Sequence, residues 1–184
     1  IAGIGFKLAA VPFHFYAPDV YEGTTAANAG LLSVAPKIAG LVVLFRLALA
    51  AMSEPALLEL AWQTTLAISL VTMTLGNVLA LLQNNVRRMM AYSSIAHAGY
   101  LLIGVTVALA TAAGEASTAK MGGAAAAIFY LAVYTAATLG VFAALAYLAG
   151  RDRELDSVNE LAGLSKSQRL VALAMATCLF SLTG

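Results

Sequence analysis

The chain has 184 residues, of which 61% are apolar and only 10% are charged, and its mean hydropathy is +0.88. Soluble domains usually carry about 25% charged residues, so this composition is typical of a protein embedded in a membrane. The net charge of +1, without any basic run, excludes the electrostatic footprint of a nucleic-acid-binding protein.

Apolar segments separated by charges and helix breakers predict an all-α, polytopic transmembrane bundle with about six spans. The first span, residues 1–25, is broken by Pro12 and Pro18, because proline removes a backbone donor and clashes with the preceding turn. Further spans are predicted at about residues 26–51, 60–82, 89–112 and 121–149, followed by a polar linker at 151–168 and a partial span at 169–184. Residues 1–184 thus form a single transmembrane domain. We expect an internal fragment of a longer protein, because the chain lacks a start methionine and ends inside an apolar run.

Positive charges concentrate in two predicted loops, which strict alternation of the spans puts on the same side of the membrane. These charges are Arg87 and Arg88 before the fourth span, and Arg151, Arg153, Lys166 and Arg169 in the polar linker. Loop 52–59 has no positive charge and loop 114–120 has one. The positive-inside rule therefore predicts that the two basic loops are cytoplasmic.

Small residues open the predicted span at 121–149. Gly122, Gly123 and the alanine run 124–127 would let a neighbouring helix approach closely, which favours simple bundle packing. The polar linker is either a short amphipathic helix on the membrane surface or a solvated connector. Cys178 is the single cysteine and lies in an apolar run, so we expect it to have a packing role.

Lys37 is the most informative residue, because it lies about eleven residues into an otherwise apolar span. A charge near the bilayer centre costs at least ~2.5–3.5 kcal/mol, so such a residue marks a functional site by default. Low dielectric disfavours the charged form of lysine, which can then exchange a proton near neutral pH. Pro36 frees a carbonyl that bound water can satisfy. The alternatives are an ion pair with an acid on another helix, or a side chain that extends to the interface.

The broken first span carries two further titratable groups. Lys7 lies five residues before Pro12, where a broken helix exposes carbonyls and admits water. We expect Lys7 to take part in the proton relay, with membrane anchoring as the alternative. His14 lies near the break and is better explained as structural, with proton handling as the lesser alternative.

His97 lies about eight residues into the fourth span, with Ser93, Ser94 and Tyr100 within about one helical turn. Histidine titrates near physiological pH and can pass protons through both ring nitrogens. We expect a relay role, with the hydroxyls in support, and keep a satisfied core histidine as the alternative. The two histidines lie far apart and there is one distant cysteine, so no metal site is expected, and no cofactor-binding motif is present.

Three motifs carry a resemblance to a known family. They are residues 7–23 (KLAAVPFHFYAPDVYEG), 35–39 (APKIA) and 85–100 (NVRRMMAYSSIAHAGY). The first resembles the broken-helix motif of the antiporter-like subunits of respiratory complex I, the proton-pumping NADH–quinone oxidoreductase. Within that family the motifs are most similar to the subunit N group, and the resemblance extends over essentially the whole chain.

The resemblance implies a larger antiporter-like fold built from two inverted helical repeats. Lys7 would match the broken-helix lysine of the first half-channel, Lys37 the lysine of the next helix, and His97 the histidine that leads toward the second half-channel. Residues 180–184 (FSLTG) would open the second broken helix. The lysine of that helix, and an acid that pairs with Lys7, would lie outside this chain.

The resemblance also implies a function. The chain would be a translocase subunit in the bacterial inner membrane, surrounded by lipid and other membrane subunits of complex I. NADH, FMN, iron–sulfur clusters and quinone would bind to partner subunits, and this chain would hold no redox centre. The alternatives are a subunit of a multi-subunit sodium/proton antiporter or of a membrane-bound hydrogenase, or a non-conducting membrane scaffold.

Overall fold

The computed structural model describes residues 2–51, 55–114, 122–150 and 157–183. In chain order the helices are α1 (Ala2–Leu8), α2 (Tyr16–Glu22), α3 (Ala26–Ala51), α4 (Pro55–Leu81), α5 (Val86–Ala112), α6 (Gly123–Ala149), α7 (Leu164–Ser167) and α8 (Arg169–Thr183). A 3₁₀ helix, Val158–Leu161, precedes α7. Within the described ranges there is no strand, only an isolated bridge between Asn85 and Ser157.

Four helices, α3 to α6, are long and apolar enough to cross a membrane. The predicted all-α, polytopic architecture is therefore confirmed. The sequence predicts about six spans, whereas the described residues contain these four long helices with shorter helices before and after them. Helix α8 is apolar but shorter, and the first span is divided between α1 and α2. Many large apolar side chains on the outer faces are exposed, as expected for surfaces that meet lipid or further helices.

The first span is broken as predicted, at residues 9–15 around Pro12, but the prediction that Pro18 also breaks it is wrong, because Pro18 lies inside α2. Helix α1 ends at Leu8. Ala9 adopts a left-handed φ of 54°, a conformation that a right-handed α-helix does not contain. The backbone N–H of Val11 then donates a hydrogen bond to Thr72 Oγ1 on α4 at 3.1 Å, so a side chain from another helix stabilises the break. Pro18 lies in the first turn of α2, where its missing N–H leaves no carbonyl unsatisfied.

Two helices begin earlier than their apolar runs suggest. Helix α4 begins at Pro55 rather than at residue 60, because proline fits the first position of a helix. Helix α5 begins at Val86 rather than at residue 89, because Asn85 caps it by accepting a hydrogen bond from the backbone N–H of Arg88 at 3.1 Å. Arg87 and Arg88 hide the first turn of α5 from a hydropathy pattern, and Glu59 interrupts the apolar run of α4 just after its first turn.

The polar linker is described only from Ser157 onward, so Arg151 and Arg153 lie outside the described residues. Its described part contains two short helices of four residues each and no continuous amphipathic helix. The backbone N–H of Val158 donates to the carbonyl of Asn84 at 3.0 Å. This contact brings the linker and the start of α5 to the same end of the bundle.

Helix α5 is the centre of the bundle and packs against α2, α3, α4 and α6. The expected close approach of a neighbouring helix occurs at Gly123 and not at Gly122. A Cβ atom on Gly123 would lie 2.3 Å from the carbonyl oxygen of Gly104 and 2.5 Å from the backbone nitrogen of Ala108, whereas a Cβ on Gly122 would meet nothing within 4 Å. Gly123 therefore lets α6 start in direct backbone contact with α5.

The two adjacent glycines provide a matched test of this packing. We expect Gly123→Ala to destabilise the full-length protein by about 1–3 kcal/mol, the usual cost of overpacking, because the added methyl group meets the α5 backbone. Gly122→Ala adds the same methyl group in open space and should change stability little. Thermal unfolding of both variants in detergent checks the prediction, and equal stability of the two would contradict it.

Candidate functional site

Lys37 lies in the middle of α3 and is only 3% exposed. Its Nζ donates a hydrogen bond to Ser94 Oγ on α5, and a second to the carbonyl of Ser33 one turn earlier at 3.3 Å. The side chain therefore does not extend to the membrane interface. No aspartate or glutamate among the described residues lies within ion-pair distance of Nζ, so the alternative of an ion pair finds no support there.

Tyr134 on α6 covers the lysine from another side. The Nζ atom lies 5.2 Å from the centre of its ring, a geometry that favours a cation over the aromatic face. The hydroxyl of Tyr134 donates to Ser94 Oγ at 3.0 Å and is 3.5 Å from the carbonyl of Ser33. Among the described residues, the partners of the Lys37 amine are thus an aromatic ring, a hydroxyl and a carbonyl rather than a carboxylate.

Ser94 is the junction of this cluster. Besides Lys37 and Tyr134 it contacts Tyr21 on α2, whose hydroxyl lies 3.2 Å from Ser94 Oγ. Tyr21 is 5% exposed, and its ring packs edge-on against Phe142 of α6. Side chains from three other helices, α2, α3 and α6, therefore come within hydrogen-bond distance of Ser94 Oγ.

His97 continues the polar cluster one turn further along α5. Its ring centre lies 4.9 Å from that of Tyr134, and its Nδ1 is hydrogen-bonded to the hydroxyl of Tyr130. The ring of Tyr100 contacts His97 edge-on at 5.6 Å, and its hydroxyl accepts a hydrogen bond from Asn77 at 2.7 Å. The hydroxyls and the imidazole form a row of groups that can both donate and accept protons.

A cavity of about 480 Å³ adjoins this row. It is lined by Asn77, Ser93, His97, Tyr100, Tyr130 and the last residues of α8. It can hold several water molecules, and its hydroxyl and amide groups give them the polar partners that ordered water needs. The site thus places a basic ring beside water-accessible space.

Three of the predicted residues lie away from this cluster. Lys7 is exposed at the end of α1, and Pro12 is exposed in the break. His14 is 6% exposed and packs against Phe15, and its Nδ1 has no hydrogen-bond partner among the described residues. The structure brings Ser93, Ser94, Tyr100 and His97 to the neighbourhood of Lys37, with Pro36 beside it on α3, and leaves Lys7 outside. The role of Lys7 stays a prediction.

Four residues of the cluster were not predicted from the sequence: Tyr21, Asn77, Tyr130 and Tyr134. One signal for two of them exists, because Tyr130 and Tyr134 are four residues apart and therefore share one face of α6. Asn77 is a lone amide inside an apolar helix, a type of residue that membrane helices use for contacts between helices.

An ionic contact at one end of the bundle fixes α2 against α5. Arg88 Nη1 lies 2.9 Å from Asp19 Oδ1 and 2.6 Å from Glu22 Oε2, and Asn85 donates to Glu22 at 3.4 Å. Tyr21 lies between Asp19 and Glu22 in sequence. The ionic contact therefore keeps the part of α2 that carries Tyr21 close to Ser94. We call the set of Asp19, Glu22, Asn85 and Arg88 the helix-end clamp.

Among the described residues no group of three or more histidines, cysteines, aspartates or glutamates is arranged to hold a metal ion. The buried polar side chains of the described residues are instead those of Lys37, Arg87, His14 and His97, together with several hydroxyls. Together with the membrane-spanning helices, they define a polytopic membrane protein with a buried basic site.

The sequence of this chain matches, over residues 1–184, the family described as "NADH:quinone oxidoreductase/Mrp antiporter, TM", and the chain belongs to that family. It is 40% identical over 184 residues to NADH-quinone oxidoreductase subunit N of Rhodospirillum rubrum, and 43% identical over 185 residues to that of Heliobacterium modesticaldum. These alignments include 100% of this chain but 35% and 36% of the relatives, so the chain spans about a third of their length. The resemblance drawn from the motifs is confirmed.

A solved structure is also similar. A chain of "Respiratory complex I from Thermus thermophilus with bound Aureothin" superimposes with a TM-score of 0.75 at 33% sequence identity. The match covers 98% of this chain and 36% of that one. The helical arrangement described above is therefore shared with a membrane subunit of a solved respiratory complex.

The helix-end clamp leads to a prediction about stability. We expect Arg88→Gln to destabilise the full-length protein by roughly 1 kcal/mol at low salt, because it removes two partly exposed ion pairs. The difference should shrink at high salt, since salt screens exposed charges. Lys166→Gln, which removes an exposed cation elsewhere, is the control. Thermal unfolding at two salt concentrations measures the effect, and an Arg88→Gln variant as stable as the control at low salt would refute it.

Proposed function

We propose that this chain is part of a proton-translocating membrane subunit of an NADH–quinone oxidoreductase, in which Lys37 takes up and releases the transported proton. The observation that carries the proposal is the burial of Lys37 among hydroxyls, at 3% exposure and without a described carboxylate nearby. Membership of the family and the names of the relatives support the same conclusion.

A proton carrier must be able to exist in both protonation states. A carboxylate within ion-pair distance would hold a lysine in its charged form, and burial without polar partners would strongly disfavour that form. Lys37 has intermediate surroundings, because Ser94, the Ser33 carbonyl and the Tyr134 ring stabilise the ammonium without a full counter-charge. Small changes in these surroundings can then shift the balance between the two states.

His97 is the next group in the proposed route. Tyr134 contacts both Lys37 and His97, and the cavity beside His97 offers room for water that can carry a proton onward. Lys7 and an acid from the rest of the protein would supply the first half-channel, as the resemblance implies. Its exposed position on this chain is consistent with a partner group elsewhere in the protein.

Electron transfer would take place in partner subunits that hold NADH, FMN, iron–sulfur clusters and quinone, and this chain would contribute proton transfer alone. Other membrane subunits of complex I and the lipid bilayer would cover its apolar outer faces. We propose the bacterial inner membrane as its location, with the basic loops in the cytoplasm. The contact between Val158 and Asn84 supports a common side for those loops.

The family description also includes Mrp antiporters, so a subunit of a sodium/proton antiporter is the second candidate. A membrane-bound hydrogenase subunit would share the same fold. Proton movement that depends on NADH and quinone favours the first proposal, and dependence on sodium or hydrogen favours these alternatives. A non-conducting scaffold would tolerate the loss of Lys37.

The central prediction concerns Lys37→Met in the full-length subunit. Methionine keeps the apolar stem and removes the ionisable amine. We expect NADH-driven acidification of membrane vesicles and NADH–quinone turnover to fall by at least roughly tenfold, because a positioned proton-transfer group usually contributes more than that. Arg46→Met is the matched control, since it removes an exposed cation from the same helix.

Both rates are compared at equal amounts of assembled complex. If Lys37→Met and Arg46→Met both keep wild-type rates, Lys37 is a structural lysine and the scaffold alternative is correct. If wild-type vesicles show no NADH-linked activity and instead exchange sodium for protons, the chain belongs to an antiporter.

A further inference from the structure

The hydroxyl of Ser94 carries one proton but has three hydrogen-bond neighbours. Lys37 Nζ, the Tyr134 hydroxyl and the Tyr21 hydroxyl all lie within hydrogen-bond distance of its oxygen, the last two at 3.0 and 3.2 Å. A serine hydroxyl donates one hydrogen bond and accepts two. Its three contacts can therefore be satisfied together only if Ser94 donates to one neighbour and accepts from the other two.

When Lys37 is charged, its ammonium can only donate. One acceptor position of Ser94 is then taken by Lys37 and the second by Tyr134, whose hydroxyl lies nearer to Ser94 Oγ, at 3.0 Å, than to its other acceptor, the Ser33 carbonyl, at 3.5 Å. The Ser94 proton must point to the third neighbour. In this state Tyr21 accepts a hydrogen bond from Ser94.

When Lys37 is neutral, its nitrogen carries a lone pair that needs a donor. The hydroxyl of Ser94 already contacts Nζ, whereas the second partner of Nζ, the Ser33 carbonyl, can only accept. The Ser94 proton therefore turns to Lys37, and both acceptor positions of Ser94 become available to the two phenols. In this state Tyr21 donates to Ser94.

We propose that Ser94 is a positioning residue that reverses its hydrogen bond with Tyr21 each time Lys37 gains or loses its proton. The inference rests on the proposed proton exchange at Lys37. On release, the electron pair of the broken N–H bond stays on Nζ, the proton leaves with internal water, and the Ser94 and Tyr21 hydroxyls rotate. No other covalent bond changes.

The reversal connects the charge of Lys37 to the broken helix. Tyr21 is buried on α2, between the two acids that Arg88 holds against α5. Because the helix-end clamp and the contact with Phe142 fix the position of its ring, the polarity of its hydroxyl can change while the ring stays in place. Helix α2 therefore responds to the protonation state of Lys37, and it does so without a large movement.

Infrared difference spectroscopy tests the proposal directly, because the C–O stretch of a tyrosine depends on whether its hydroxyl donates or accepts. The sample is the assembled complex in lipid vesicles, with ring-labelled tyrosine, compared between acidic and alkaline buffer. The ionisable groups that face the junction from the described helices are Lys37 on α3, Tyr16 and Tyr21 on α2, His97 on α5, and Tyr130 and Tyr134 on α6. Tyr21→Phe and Lys37→Met identify the contributions of Tyr21 and Lys37 among these groups.

We expect a labelled tyrosine band in the wild-type difference spectrum that is lost in Tyr21→Phe, in Ser94→Ala and in Lys37→Met. It should persist in two controls. Tyr147→Phe removes an exposed tyrosine hydroxyl, and Thr106→Val removes a buried hydroxyl of α5 whose one hydrogen bond within the described part of the chain goes to the carbonyl of Leu102 in its own helix. Ser94→Thr keeps the hydroxyl and should keep the band.

A Tyr21 band that persists in Lys37→Met would overturn the proposal, since the reversal must follow the charge of Lys37. A band that persists in Ser94→Ala would do the same, because Tyr21 would then sense the lysine by another route. If Ser94→Ala does not assemble, Tyr21→Phe and Lys37→Met still decide whether the Tyr21 hydroxyl follows the charge of Lys37, and loss of that dependence overturns the proposal. Failure of the proposed function is visible separately, as normal NADH-driven pumping in Lys37→Met vesicles.

Discussion

The burial of the Lys37 amine is the constraint on which the arrangement of the helices depends. A lysine at this depth carries an insertion cost of at least ~2.5–3.5 kcal/mol, and the polar groups that offset it come from three other helices. Ser94 lies on α5, Tyr134 on α6 and Tyr21 on α2, and all three meet near one point of α3. The rotation and height of each helix are therefore fixed by a contact of a few ångströms in the interior.

The bundle meets this constraint with small residues and polar contacts, because lipid offers no hydrophobic driving force between helices. Backbone contact at Gly123 brings α6 against α5, and Gly30 similarly lets α3 approach Phe142 of α6, where a Cβ would lie 3.0 Å from the phenylalanine Cβ. At the end of the bundle the helix-end clamp holds α2 in register with α5. These contacts hold Tyr21 and Tyr134 beside Ser94, the hydrogen-bond partner of Lys37.

The amino-acid sequence is sufficient to predict the helical membrane fold and the position of Lys37, because a single charge in an apolar segment is visible locally. Ser94, His97 and Tyr100 are spaced three residues apart, so their spacing alone groups them into one stripe on α5. The spacing of Tyr130 and Tyr134 puts both on one face of α6, but α6 is apolar on every side and its pattern does not show whether that face turns inward. Lys7 shows the opposite case, since its charge is conspicuous but the structure leaves it exposed at the end of α1, away from the cluster.

The surroundings of Lys37 differ between the side of Tyr21 and the side of His97. This difference separates the proposed proton conduction from the proposed sensing of the lysine charge. Tyr21 is buried and its ring is held by Phe142, and the part of α2 that carries it is fixed by the clamp. A hydroxyl in such a position can reverse the direction of its hydrogen bond, but it has no described route by which to hand a proton on. On the other side, His97 adjoins a cavity of about 480 Å³ that has room for water. The proposed proton transfer toward His97 and the proposed transmission of charge state toward α2 would therefore start from the same lysine without sharing a path.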